Sequence, residues 1–480
     1  FNSIKYTNFE ISMPSRISSA VGIGLLSFAF CVNVAVSVSA VDTNTGYNIY
    51  AEWQVLDYLW DETHTRESYL ASNAFIPSNN ALAGINVDAR GNIYVTVPRW
   101  TSGVPGTLNQ VVQNATGQYV LSPWPSWDMQ EVGVAGDLQN CQSMTIDSTD
   151  RMWVIEVGRR NFFEAPTGEP VVNGPAGLWM IDVPTGTILN KYEFPSDVVS
   201  YTESFVNDLV LDEGRELAFL TDAWGDGGLI VYDYQGNTSR RYSGPSTMYD
   251  PNYVMIINGV NYGTEAFPTP VDGIAITDDQ EAIFYCSLQG ADLFRLPTAI
   301  LRDFTTTQEQ ITEAVEDLGF KQPSDGMMYR SGVLYFGSLT ESTYYALPVS
   351  ATSIPDTKIE SVPVWPQQVD FRWVDTFCRD WSDPSLFWFI SNSLDLFFTG
   401  GMDFSGSPGN SNFRIVSATS TDTALGSSDD DDDDVEALQA VVITLSLILV
   451  LGLVVGSVLW YRVKQGRQDR QQDNIRTPLM

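Results

Sequence analysis

The chain has 480 residues, with 25 Lys and Arg against 59 Asp and Glu, a formal charge of −34, a single His and four Cys. A hydrophobic fraction of 44% with 24 Pro and 37 Gly is that of a folded globular protein and excludes wholesale disorder or collagen-like order. The acidity argues against nucleic acid as a partner, whose phosphates need clustered Lys and Arg, while one imidazole excludes a His-rich zinc site and ties any Ser-His-Asp triad to His64.

Residues 1–12 precede the first Met, Met13, and read as a prefix. From Met13 the text is that of a secretory signal: Arg16, an apolar run from Ala20 through Val36, then the small residues Val38-Ser39-Ala40 that a signal peptidase reads. Cleavage is expected after Ala40, which sets 1–40 apart from a folded ectodomain over 41–417. Tyr47 to Trp60 then reads as a strand segment standing outside the repeats that follow.

Those repeats share one sentence. Gly84-Ile-Asn-Val-Asp-Ala-Arg-Gly-Asn-Ile-Tyr-Val95 is a short strand, a polar turn and a strand rich in β-branched and aromatic residues. It returns at Met144–Ile155, Leu209–Leu220, Ile274–Cys286 and Met327–Phe336, and more loosely at Trp373–Ile390. Further strand patterns follow most copies, such as Gly177–Asp182, Gly228–Asp233 and Asn412–Val416. Self-similar blocks of three or four strands predict an all-β, six-bladed β-propeller. An open ring would leave a sheet edge exposed, so Tyr47–Trp60 is expected to close it beside Asn412–Val416. The one long helical candidate, Gln308 to Leu318, is expected to be an insertion between blades.

Two sequons, Asn114-Ala115-Thr116 and Asn237-Thr238-Ser239, lie in turn text and predict glycosylated surface loops. After signal removal Cys141, Cys286 and Cys378 remain, which permits one disulfide of unassigned pairing and one thiol left over. Residues 418–437 form an acidic linker with the run Asp429–Asp434. Leu438 to Tyr461 is a 24-residue stretch without charge, reaching about 36 Å against a hydrocarbon core of roughly 30 Å. Arg462, Lys464, Arg467, Arg470 and Arg476 follow it in a tail over 462–480, the positive-inside pattern. The expected whole is a type I single-pass protein with one transmembrane α-helix, on the cell surface or another secretory-pathway membrane, its ectodomain extracellular or lumenal. Both ends carry a small positive excess, so the ectodomain is more acidic than the chain as a whole. Such a surface attracts cations and amines; solubility alone also accounts for it.

Propeller strands begin near the central channel, so polar residues just before each first strand are the candidates for a ligand site. They are Asn79-Asn80, Asn140, Asn207-Asp208, Asp272, Ser324-Asp325 and Asp370, with Arg99 and Asn392 as further candidates. Carboxylates and amides around an axis suit an ammonium group, and aromatic walls add cation–π attraction. Asn207, Asp208 and Asp272 could alternatively serve Ca²⁺ as the one cofactor considered. Capping of turns and tying of neighbouring blades is the competing role for all of them. His64 sits in the polar loop Asp61-Glu-Thr-His-Thr-Arg66 and reads as a solvated surface residue.

The runs Val97-Pro-Arg-Trp100, Gly103-Val-Pro-Gly-Thr-Leu108, Pro123-Trp-Pro-Ser-Trp127 and Cys141-Gln-Ser-Met-Thr-Ile-Asp147 resemble the yellow / major royal jelly protein family. So do Val271-Asp-Gly-Ile-Ala275, Leu293-Phe-Arg-Leu-Pro-Thr298 and Asn412-Phe-Arg-Ile415, and the likeness runs collinearly over about residues 50 to 417. The resemblance implies a six-bladed propeller. It implies a choice of roles: dopachrome conversion, binding of biogenic amines or nutritional storage. Relatives are typically secreted without an anchor, and the apolar 438–461 segment departs from that pattern. The reading favoured is a tethered extracellular module binding a cationic or aromatic amine in its channel. The alternatives are an isomerase of the dopachrome-converting type, a Ca²⁺-dependent lactonase-like hydrolase, and a structural or adhesive acidic surface protein.

Overall fold

The inner hairpin turns that follow Asp88 and Asp147 are each organised by a side chain that accepts from the backbone it encloses. Asp88 Oδ1 takes the amides of Arg90 and Asn92 at 2.9 and 2.8 Å, and Asp147 Oδ1 those of Thr149 and Arg151 at 2.9 and 3.0 Å. The turn then passes through the left-handed region at Gly91 and Asp150. This chemistry recurs because Asp and Asn tolerate that backbone and bond locally, and it generates the repeated strand–turn–strand sentence.

The computed structural model describes residues 47–163, 171–349, 362–363, 371–383, 385–405 and 411–419. Six antiparallel four-stranded sheets form the blades. Blade I holds Ile85–Val87, Ile93–Thr96, Leu108–Gln113 and Tyr119–Pro123; blade II holds Cys141–Ile146, Arg151–Glu156, Gly177–Asp182 and Thr187–Glu193. Blade III is Val206–Asp212, Leu217–Asp222, Gly228–Asp233 and Thr238–Tyr242; blade IV is Val271–Ile276, Ala282–Ser287, Asp292–Pro297 and Glu316–Phe320. Blade V is Met327–Arg330, Val333–Ser338, Thr343–Pro348 and Val362–Pro363. Blade VI takes Trp373–Arg379, Leu386–Asn392 and Phe413–Thr419 from one end of the chain and Tyr47–Trp53 from the other.

Each first strand touches the first strands of both neighbouring blades, and VI meets I, so the ring is closed. The expected closing strand is therefore in place, ending at Trp53. Between blades the core is aromatic and aliphatic, with Trp153, Tyr232, Phe219, Tyr285, Phe284, Tyr335 and Phe389 almost wholly buried.

Several expectations are corrected or fall elsewhere. The helix expected over 308–318 covers only Gln308–Ala314, capped by Thr307 and Gln310; the chain then extends at Val315 and supplies the outer strand of blade IV. The helix is thus inside a blade rather than between two. No disulfide joins Cys141, Cys286 and Cys378: all three are buried as free thiols. The sequons hold equivalent places in the outer hairpin turns of blades I and III, with Asn237 exposed and Asn114 half-buried. The signal, linker, apolar span and tail lie outside the described residues; among the described residues no helix is long and apolar enough to cross a membrane.

Candidate ligand site

In blades II, III, IV and VI the register slips by one residue where the inner strand begins, between Cys141 and Met144, Val206 and Leu209, Val271 and Ile274, and Val374 and Phe377. A bulge of this kind re-aims the side chains it carries. The bulged pairs are Gln142-Ser143, Asn207-Asp208, Asp272-Gly273 and Asp375-Thr376, and Asp325-Gly326 precedes the inner strand of blade V at the same offset. Their first members, Gln142, Asn207, Asp272, Asp325 and Asp375, line one axial cavity of about 530 Å³. Asp208 instead lines a smaller cavity, about 120 Å³, which opens toward the inner hairpin turns on the other face.

The Asp-Gly steps have a packing reason. A Cβ on Gly273 would lie 2.3 Å from the carbonyl oxygen of Asp325, and one on Gly326 would lie 2.4 Å from that of Asp375. Successive blades approach backbone to backbone here, so a bare Cα is needed. Thr221 Oγ1 adds a tie between blades, donating to the Asp272 carbonyl at 2.8 Å, as Thr96 Oγ1 does to that of Gln142 at 2.7 Å.

The cavity floor is a chain of amides and acids from successive blades. Gln142 Nε2 donates to Asn207 Oδ1 at 2.8 Å, and Asn207 Nδ2 to Asp272 Oδ1. Trp373 Nε1 donates to Asp325 Oδ2 at 2.6 Å, and Asn392 Nδ2 to Asp375 Oδ2 at 2.8 Å. Asp272, Asp325 and Asp375 are only 5–8% exposed, and no Lys or Arg forms an ion pair with any of them among the described residues. Burial lifts all their acid constants above the carboxylate range, and mutual repulsion adds to it for Asp272 and Asp375. Asp325 is pushed up less, to about 6, because the Trp373 and Gly326 N–H groups and the buried Lys321 favour its charge. Burial likewise lifts Asp208 to about 7, against bonds from the Leu209 amide and Ser143 Oγ.

Above this floor stand Trp100, Phe163, Trp224, Phe267, Trp373 and Phe398. Trp100, Trp224 and Phe398 come from loops joining second and third strands, which places the cavity on the face where inner strands begin. Phe398 packs 5.4 Å from Trp100 and 5.2 Å from Phe163, and Phe163 5.5 Å from Trp224, all between ring centroids.

Of the candidates, Asn207, Asp272 and Asp325 are brought together, with Asn392 behind Asp375 and Asp208 one step along the axis. Arg99 and Asn140 are not. The Arg99 guanidinium is buried and donates to the carbonyls of Val104, Pro105, Gln130, Leu138 and Gln139 at 2.7–3.0 Å. Burial pulls its acid constant down to about 10. Asn140 is equally spent, accepting from the Arg99 amide and donating to the Arg159 carbonyl. Both are knots between loops. Asn79 and Asn80 are tied to loop carbonyls, Ser324 is buried beside Lys321, and Asp370 lies outside the described residues. Sequence reasoning missed Asp375 and Gln142; a fixed offset of two residues before the paired strand residue finds both.

For Ca²⁺, the Asn207 side chain and the acidic residues are the relevant donors. Asn207 commits its oxygen to Gln142 and its N–H to Asp272, and no group of three or more His, Cys, Asp or Glu among the described residues is arranged to hold a metal ion.

The chain is 26% identical to Protein yellow of Drosophila madeirensis over 390 residues, covering 76% of this chain and 64% of that one. It is 25% identical to Protein yellow of Drosophila melanogaster, covering 76% and 67%. It therefore spans slightly less than two thirds of the first relative's length. Among solved structures it is similar to regucalcin of Agrobacterium tumefaciens, described as a calcium-binding protein, at 12% identity and a TM-score of 0.40, over 70% of this chain and 88% of the other. A sequence model of the family described as major royal jelly protein matches residues 140–428, more than half of the length, and the chain belongs to that family.

Proposed function

We propose that this protein is an extracellular propeller, tethered by the 438–461 span, that binds a small cationic amine with an aromatic body in its axial cavity. The observation that carries the reading is the set Asp272, Asp325 and Asp375: three buried acids from three blades, without a basic ion-pair partner among the described residues, beneath an aromatic mouth. Burying carboxylates with no counter-charge is costly, and an incoming ammonium offsets that cost while its ring meets Trp224 and Phe398. Calorimetry of the purified protein with serotonin, dopamine and Ca²⁺ tests it. Saturable amine binding without turnover supports the proposal; no amine binding sinks it.

A second reading draws on Asp208 and Asp325, whose acid constants of about 7 and 6 suit proton transfer near neutrality. In that case the protein is an isomerase of the dopachrome-converting type, and turnover of an aminochrome is lost in Asp208→Asn or Asp325→Asn. The lactonase-like alternative has less support, since no group of three or more His, Cys, Asp or Glu among the described residues is arranged to hold a metal ion. Binding of neither amine nor aminochrome leaves an adhesive or structural acidic surface. For the tether, alkaline extraction of membranes is the check: release of the chain into the soluble fraction would contradict it.

A further inference from the structure

Beside the axial mouth lies a second cavity of similar size, about 500 Å³. A short backbone bridge divides the two: the Asn161 amide donates to the Arg99 carbonyl at 2.8 Å and that of Phe163 to Trp100 at 3.0 Å. Trp100 and Phe163 face the axis, whereas Arg160 and Asn161 line the second cavity. Its lining is mixed in charge, with Arg99 and Arg160 beside Asp128 and Glu131. One wall is Trp127, with His64 stacked on it at 4.7 Å and 7° and Tyr69 edge-on at 5.8 Å. His64 Nδ1 is held by both oxygens of Asp61 at 3.0 and 3.1 Å, which fixes the ring. Arg160 spends only its Nε, on Asn173 Oδ1 at 3.1 Å, and forms no ion pair among the described residues. Arg66, Arg90, Arg151 and Arg215, by contrast, all hold carboxylates.

We propose that this rim cavity is a second ligand site, one that takes a compact aromatic monocarboxylate. The ring packs against the His64 imidazole, which is backed by Trp127, and beside Tyr69, and the carboxylate accepts from the terminal nitrogens of Arg160 in the two-pronged geometry that guanidinium offers. Asp128 and Glu131 stand on the same lining and select against a second negative charge.

His64 is the only His in the chain, so its imidazole NMR signal in tag-free, histidine-labelled full-length protein reports on this cavity alone. Salicylate is expected to shift that signal saturably, in the presence or absence of saturating serotonin. Arg160→Gln is expected to keep the unliganded signal in place while weakening the salicylate response at least about tenfold, as loss of a charged hydrogen-bond pair does. Arg160→Lys, which keeps the charge but loses the fork, falls between the two. The proposal is overturned by no shift up to about 10 mM salicylate, by an unchanged response in both Arg160 variants, or by displacement of salicylate when serotonin binds.

Discussion

Trp373 of blade VI donates its indole N–H to the carboxylate of Asp325 in blade V at 2.6 Å, so one ring is both wall of the cavity and partner of its most readily ionised acid. The bond favours the charged carboxylate, the form an ammonium requires. Amine affinity is therefore full above the acid constants of the floor and is lost as pH falls through them. Trp373→Phe keeps a ring and removes the donor, raising the Asp325 constant above about 6. The pH profile of serotonin affinity is expected to move upward, with a loss of roughly threefold to tenfold at pH 6 and little change at pH 8.5. A profile that does not move would detach the indole from the acid's ionisation.

Asp208 gives a stability signature of the opposite sense to that of a salt-bridged carboxylate. Its acid constant is raised to about 7 in the folded chain, so between the ordinary carboxylate value and about 7 the folded state holds a proton that the unfolded state has released. Stability from this group falls as pH rises through that window and stays low above it. Asp208→Asn removes the cost. The variant is expected to be more stable than wild type at pH 8 by about 2 kcal/mol, with the gap closing toward pH 4. Thermal unfolding at the two pH values measures it, and a gap independent of pH would contradict the assignment.

Gly273→Ala forces a methyl to within 2.3 Å of the Asp325 carbonyl, where the neighbouring backbone can yield only by parting two blades. A loss of about 1–3 kcal/mol is expected, together with weaker amine binding because Asp272 and Asp325 shift apart. Gly214→Ala, whose nearest neighbour is a flexible Gln280 side chain at 3.5 Å, serves as the comparison and is expected to change denaturant midpoints far less.

Arg99 separates a knot from a ligand contact. Arg99→Gln leaves several buried carbonyls without a donor, and a loss of at least about 3 kcal/mol is expected. Serotonin affinity of the molecules that remain folded is expected to stay within about twofold, since five loop carbonyls occupy the guanidinium. A large affinity loss at full folding would return Arg99 to the site.

The propeller was legible because several of its inner hairpins turn on short-range chemistry: Asp88 and Asp147 bond to amides two and four residues away, so the motif survives in the text of those repeats. Asn207, Asp272 and Asp325 were legible as polar residues abutting an apolar strand. Asp375 was not, because the bulge makes Phe377 the equivalent of Met144, Leu209 and Ile274, whereas the text suggests Trp373. Arg99 misleads for a related reason: its partners are carbonyls, which leave no trace in side-chain identity. The aromatic mouth comes from loops of unequal length and has no period to detect.

The central claim is that acids carried by separate blades act together on one ammonium group. Calorimetry of serotonin binding at pH 6, repeated in buffers of different ionisation enthalpy, counts the protons exchanged. Raised carboxyls that ionise around the ligand are expected to release close to one proton per amine bound, and Asp375→Asn to reduce both release and affinity. Binding with no buffer dependence, or with proton uptake, would contradict it.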